Sequence, residues 1–248
     1  MILLKSKSDL EKMIKAGEIL ARVMNKVRES VRVGMSTIEI DNLAQELIRQ
    51  ERAIPAFLGY RGYPAAICTS INEEVVHGIP GPRVILEGDI LSLDLGVKFD
   101  GFFSDIAITI GMGRIDPKAK KLIEVTRESL NQGIKAAQAG NRLGEISSAV
   151  QKYVEKNGFS VVRQFVGHGI GSSLHEEPEV PNFGMAAKGE LLRPGMVLAI
   201  EPMVNMGTWE CEVLEDGWTA VTGDKKLSAH FEHTVAITED AALILTKL

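Results

Sequence analysis

Two stretches of this 248-residue chain recur in the same order, and that recurrence constrains the fold more than any other feature. Gly34-xxxx-Glu39-Ile40 returns 106 residues later as Gly140-xxxx-Glu145-Ile146. The run from Gly88 to Asp94 returns 107 residues later as the run from Gly195 to Glu201. The one-residue difference fits Leu86-Glu87-Gly88 becoming Leu192-Arg193-Pro194-Gly195. Short apolar strands resemble one another by chance, but the preserved order and near-constant offset favour an old duplication. The chain therefore reads as a single domain, 1–248, of two related halves, roughly 1–112 and 113–248, that share one sheet.

Local signals agree with two such halves. Ser8-Asp9-Leu10-Glu11 reads as a capping box before apolar residues at helical spacing (Leu10, Met13, Ile14, Leu20, Met24, Val27). Ser36-Thr37-Ile38-Glu39 opens a second helix, and Asp116-Pro117 a third that runs to Ala139 before Gly140. A fourth spans Leu143 to Asn157. Ile90–Phe99 and Phe102–Ile110 flank Asp100-Gly101, a strong signal for a two-residue hairpin turn. Val197–Val204 and Leu227–Thr238 also read as strands. Helices, strands, helices, strands is an α+β pattern.

The formal net charge is −5 and no long basic run occurs, which disfavours nucleic acid as a partner. No apolar run approaches membrane-spanning length, and the N-terminus turns polar too soon for a signal peptide. Cys68 and Cys211 form no CxxC pair; reduced thiols in a cytoplasmic protein are the simpler expectation.

A turn at Asp100-Gly101 sets Gly96 opposite Asp105 and Asp94 opposite Ala107. Opposed residues share a face, so Asp94 and Asp105 become diagonal neighbours about 8 Å apart. Two such carboxylates repel unless a cation lies between them or one holds a proton. Solvated aspartates on an open sheet would explain the pair equally well. The duplication shifts the balance, because Glu201 occupies in the second half the position of Asp94 in the first. Glu232 lies in an alternating run with His230 and Thr234 on its face and His233 on the other. Four converging carboxylates call for cations, and an oxygen-rich donor set suits hard or borderline divalent ions. His77, His168 and His175 lie in turn- or glycine-rich loops; each alone is an ordinary structural histidine, and the seven-residue spacing of His168 and His175 excludes a helical HExxH site.

Together the motifs resemble the type I methionine aminopeptidases, over nearly the whole chain. They are Gly59-Tyr60-Arg61-Gly62-Tyr63-Pro64, Ser70-Ile71-Asn72-Glu73 with His77-Gly78-Ile79-Pro80, Leu93-Asp94 through Asp105, Gly167-His168-Gly169-Ile170-Gly171 with His175-Glu176-Glu177-Pro178, Ile200-Glu201-Pro202-Met203, and Phe231-Glu232-His233-Thr234. The resemblance implies a pita-bread fold, two α/β halves around two divalent ions (Mn, Fe, Co, Zn or Ni). It implies Asp94, Asp105, His168, Glu201 and Glu232 as ligands, with Asp105 and Glu232 bridging. It also implies hydrolysis by hydroxide held between the ions, with Glu201 as proton shuttle and His77 and His175 contacting substrate. Tyr60, Tyr63, Cys68, Leu174 and Trp218 match the methionine pocket, Leu174 standing where an aromatic is often found. The substrate implied is the N-terminus of a peptide or nascent chain, met near the ribosome; the absence of an obvious association motif favours a monomer.

Two residues depart from the family pattern: His230 stands where Gln is usual, and Phe57 where a small residue is frequent. The rival readings are an Xaa-Pro peptidase of the same fold, which usually carries an additional N-terminal domain, and a non-catalytic binding protein, which typically loses ligands. Type II enzymes carry an insertion between the last two glutamates, here only 31 residues apart.

Overall fold

A computed structural model describes residues 2–248. Helix α1 (Lys7–Ser30) is capped by Ser6 rather than Ser8. The Ser6 hydroxyl accepts from Asp9 N at 3.2 Å and the Asp9 carboxylate accepts from Ser6 N at 2.9 Å. The same serine-x-x-acid pattern occurs two residues earlier than expected, and that box closes. Helix α2 (Thr37–Gln50) opens on the expected box, Glu39 accepting from Ser36 N at 2.8 Å. Helix α3 (Pro117–Ala136) stops short of Ala139, because Asn141 Nδ2 donates to Ala136 O at 3.0 Å and the chain turns through Gly140 at φ 88°. Helix α4 (Leu143–Lys156) follows.

The strands of the first half are β1 (Ile54–Pro55), β2 (Ile67–Ile71), β3 (Glu74–Val76), β4 (Ile90–Phe99) and β5 (Phe102–Gly111). Those of the second are β6 (Ser160–Val161), β7 (Gly167–Gly169), β8 (Glu176–Val180), β9 (Val197–Ile200) and β10 (Met203–Asn205), then β11 (Cys211–Val213), β12 (Ala220–Thr222), β13 (Ser228–His230), β14 (Glu232–Ala236) and β15 (Leu243–Ile244). The main sheet runs β1-β4-β5-β14-β9-β7-β8, with β2 also on β4 and β15 on β14, so both halves contribute to it.

Two expected strands are each cut in two. Val197–Val204 breaks at Glu201-Pro202 and Leu227–Thr238 at Phe231. Proline has no N–H for a ladder bond, so the pairing ends there. Beyond the breaks, β10 pairs with β13 on one side and with β6 on the other in a separate three-stranded sheet.

Alternation assigns each face of the main sheet a task. Leu91, Leu93, Leu95, Ile106, Ile108, Leu198, Ile200 and Val235 join one apolar core with Leu20, Val23 and Met24 of α1 and Leu130 and Ile134 of α3. His233 also leaves the site face, its Nδ1 2.9 Å from Thr246 Oγ1. The other face remains for Asp94, Asp105 and their partners.

Candidate active site

The pairing registers lay down the acidic residues in two rows. Cys68 of β2 pairs with Asp94, Asp94 with Ala107, and Ala107 with Glu232. His233 pairs with Ile200, which sets Glu201 beside Glu232 at the end of that row. Two residues along, the second row runs from Gly96 to Asp105, then through Thr234 and Ala199 to His168. Opposed residues, and residues two apart on a strand, share a face, so all five proposed donors face the same space. Between them stand small side chains, Ala107 and Ala199, which leave that space open.

At the junction of the halves the β5–β14 ladder has only two residue pairs, Glu232 with Ala107 and His233 with Ile106. A threonine hydroxyl extends it at each end. Thr234 Oγ1 accepts from Asp105 N at 2.9 Å and donates to Asp105 O at 2.8 Å. Reciprocally, Thr109 Oγ1 accepts from His230 N at 2.8 Å and donates to His230 O at 2.9 Å. These buried hydroxyls satisfy backbone groups that the parting strands would otherwise strand.

Asp105, His168 and Glu232 each offer a ligand atom, all within 4.8 Å of one another and all buried. His168 Nδ1 lies 2.8 Å from Gly169 O, an acceptor only, so Nδ1 carries the hydrogen. Its Nε2 then presents a lone pair 3.6 Å from Glu201 Oε1, the tautomer a metal ligand uses. Burial pushes Asp94 and Glu201 up to about 7, and Asp105 and Glu232 well above the carboxylate range, with neighbouring carboxylates adding to the last two. Asp94 Oδ1 and Glu232 Oε1 are enclosed without a hydrogen-bond partner. An unpaired buried polar atom costs about 1–3 kcal/mol, and a cation would satisfy both oxygens. Four carboxylates and one imidazole fit hard to borderline divalent ions.

A cavity of about 170 Å³ opens on this face. It is lined by all twelve residues singled out from the sequence: Tyr60, Tyr63, Cys68, His77, Asp94, Asp105, His168, Leu174, His175, Glu201, Trp218 and Glu232. Tyr63 meets Trp218 edge-on at 5.1 Å, and its hydroxyl donates to Gly78 O at 3.0 Å. His77, at φ 60°, lies edge-on to Phe165 and Trp218, and burial lowers it to about 4. His175 also falls to about 4, through burial and then the nearby Arg61 charge. Both imidazoles are therefore neutral at neutral pH. His175 Nδ1 lies 2.8 Å from the Tyr60 hydroxyl, and its ring 4.2 Å from that of His168.

His230 lies across the Phe231 break from Glu232, in another sheet, yet its Nε2 is 3.4 Å from Glu201 Oε2. Phe57 lies against the sheet where Gly96 faces Asp105; a Cβ on Gly96 would fall 2.8 Å from the Phe57 ring. Arg61 lines the cavity as well, and had no role in the sequence reading. Its flanking glycines announce a turn, but not which way the side chain would point.

Residues 11–239 match the model of metallopeptidase family M24. A methionine aminopeptidase of Clostridium perfringens is 53% identical over 246 residues, 99% of both chains. Methionine aminopeptidase 1 of Bacillus subtilis is 50% identical over the full length of both. The crystal structure of a methionine aminopeptidase from Thermotoga maritima superposes with a TM-score of 0.98 at 48% identity, covering both chains completely. The fold is thus the pita-bread fold, and the chain belongs to metallopeptidase family M24 and, within it, to the type I methionine aminopeptidases.

Proposed function

We propose that this chain removes the initiator methionine from peptides and nascent proteins whose α-amine is free. One observation carries the reading: a five-donor acidic floor lies in the same cavity as two neutral histidines and a wall of buried apolar side chains. The family supports it, and relatives named methionine aminopeptidase at about half identity favour it over the Xaa-Pro reading.

Asp94, Asp105, His168, Glu201 and Glu232 would hold the divalent ions, which would supply Lewis acidity and a water nucleophile near neutral pH. Glu201, at the end of the acidic row, takes the proton of the attacking water and hands it to the leaving amine. With the Tyr60 hydroxyl donating to Nδ1, His175 keeps its hydrogen on Nε2 and donates it to the carbonyl oxygen as negative charge develops. His77 contacts the scissile amide nitrogen. Tyr63, Cys68, Leu174 and Trp218, joined by Phe57, enclose the unbranched thioether. The working ions are two, drawn from Mn, Fe, Co, Zn or Ni, in a cytoplasmic monomer close to emerging chains; the free thiols of Cys68 and Cys211 accord with that compartment.

The test is release of free methionine from Met-Ala-Ser, by metal-stripped protein and by protein reloaded with Mn, Co or Fe(II), with N-acetylated peptide as control. Metal-dependent release from the free amine alone is expected. Absence of release from folded protein with every metal would overturn the reading.

A further inference from the structure

Of the residues lining the cavity, Arg61 and His175 are the most open to solvent, and they mark its mouth. A methionine side chain seated at the buried end, beside Cys68 and Tyr63, sends the remainder of the peptide out past them. Planar groups pave this route. The ring of His175 lies 5.2 Å from that of Tyr60, and the Arg61 guanidinium 5.4 Å from the Tyr60 ring centroid. Arg61 is held there by its backbone, at φ 49° in a turn closed by Gly62 N donating to Gly59 O at 3.2 Å and Tyr63 N to Tyr60 O at 2.9 Å. Left-handed backbone is uncommon for a residue with a side chain. Among the described residues, no carboxylate lies within ion-pairing distance of the guanidinium.

We propose that Arg61 reads the substrate beyond the scissile bond, favouring a carboxylate at one position, the second or third residue after the methionine. The proposal rests on the aminopeptidase reading above. An extended peptide advances about 3.3 Å per residue, so the two ring-to-ring steps beyond His175 reach at most about three residues, and fewer where they are not in line. The carboxylate belongs to an Asp or Glu side chain or to the C-terminus of a short peptide; guanidinium binds either in the same bidentate fashion. The net charge of −5, and the exposed Glu212 and Glu215 on the hairpin segment that carries Trp218, repel acidic peptides at longer range. An acidic preference would therefore come from contact and be confined to one position.

The test uses metal-loaded full-length protein and C-terminally amidated peptides beginning Met-Ala, with Asp, Asn or Lys placed in turn at each of the next two positions. We expect kcat/KM for Asp over Asn to be about fivefold at one position, carried by KM, and erased by about 0.5 M salt. Arg61→Ala removes the preference and Arg61→Glu transfers it to Lys. Free-acid tripeptides compared with their amides show whether the terminal carboxylate is read too. An Asp-to-Asn ratio unchanged in Arg61→Ala, or absent from the wild type, overturns the proposal while leaving the aminopeptidase reading intact. Absence of methionine release from every peptide overturns both.

Discussion

Strands β4 and β5 each run ten residues unbroken around a two-residue turn, whereas in the second half β9 gives way to β10 at Glu201-Pro202 and β13 to β14 at Phe231. In the first half, register alone sets the positions of Asp94 and Asp105. In the second, Glu201 and Glu232 lie at the points where the chain leaves the main sheet. The regular hairpin makes a fixed floor. The broken strands free β10 and β13 for another sheet and bring His230 within 3.4 Å of Glu201 from the side. The two threonine hydroxyls join these arms where their ladder runs out. Both arms supply donors to the proposed metal site, Asp94 and Asp105 from the regular one and His168, Glu201 and Glu232 from the second half, whereas the proposed proton shuttle, Glu201, lies at a strand break.

The largest expected effect separates those assignments. Glu201→Gln, assayed with saturating metal, lowers kcat about a thousandfold with the fold retained. Asp94→Asn mainly weakens metal binding and recovers more of its turnover as metal is raised. Equal, metal-insensitive losses in both would erase the distinction, and near-normal turnover in Glu201→Gln would remove its role as proton shuttle.

Next comes Ala107→Leu, which fills the gap between Asp94 and Glu232 while leaving every donor in place. Metal affinity by calorimetric titration falls about a hundredfold, and overpacking costs about 1–3 kcal/mol of stability. Wild-type affinity in this variant would show that the ions do not occupy the space above Ala107.

Smaller losses test the junction. Thr234→Val and Thr109→Val each leave a buried N–H and C=O unpaired, at about 1–3 kcal/mol by denaturant titration. Thr234→Val also weakens metal binding, because it releases Asp105; Thr109→Val does not.

The smallest effect is one of pH. In metal-free protein Asp94 and Glu201 titrate at about 7, and Asp105 and Glu232 higher, against about 4 in the unfolded chain. The folded state then binds more protons than the unfolded one, so stability falls as pH rises through this range. The lowered histidines act in the opposite direction, but only below about 6.5, where unfolded imidazoles become charged. From about pH 7 to about pH 8.5 the carboxylates dominate, joined toward the upper end by the Cys68 thiol that burial also raises, and the Tm of stripped protein falls by about 5 °C. Metal-loaded protein stays nearly flat, since the ions hold the carboxylates ionised throughout.

Much of this arrangement was legible in the sequence. The Asp100-Gly101 turn implied the pairing of Asp94 with Ala107 and of Gly96 with Asp105, and the structure has that register residue for residue. Alternation identified the face buried against the helices. The strand breaks were less legible, because residues on both sides of Pro202 and Phe231 favour strands and periodicity does not reveal which sheet each will join. The Ser6 cap lost to a neighbouring serine with an equally good acid three residues on. Arg61 escaped notice because its orientation depends on a positive φ and on Tyr60 beside it, neither of which is a pattern in sequence.

The most direct test of the central claim titrates Mn(II) or Co(II) into metal-stripped protein while following methionine release and Tm in the same samples. Both should rise together as the paired sites fill and level off near two equivalents, with N-acetylated peptide untouched throughout. Full activity in stripped protein, or a rise in Tm with no release at any metal load, would contradict the claim that this acidic floor is the catalytic centre of an aminopeptidase.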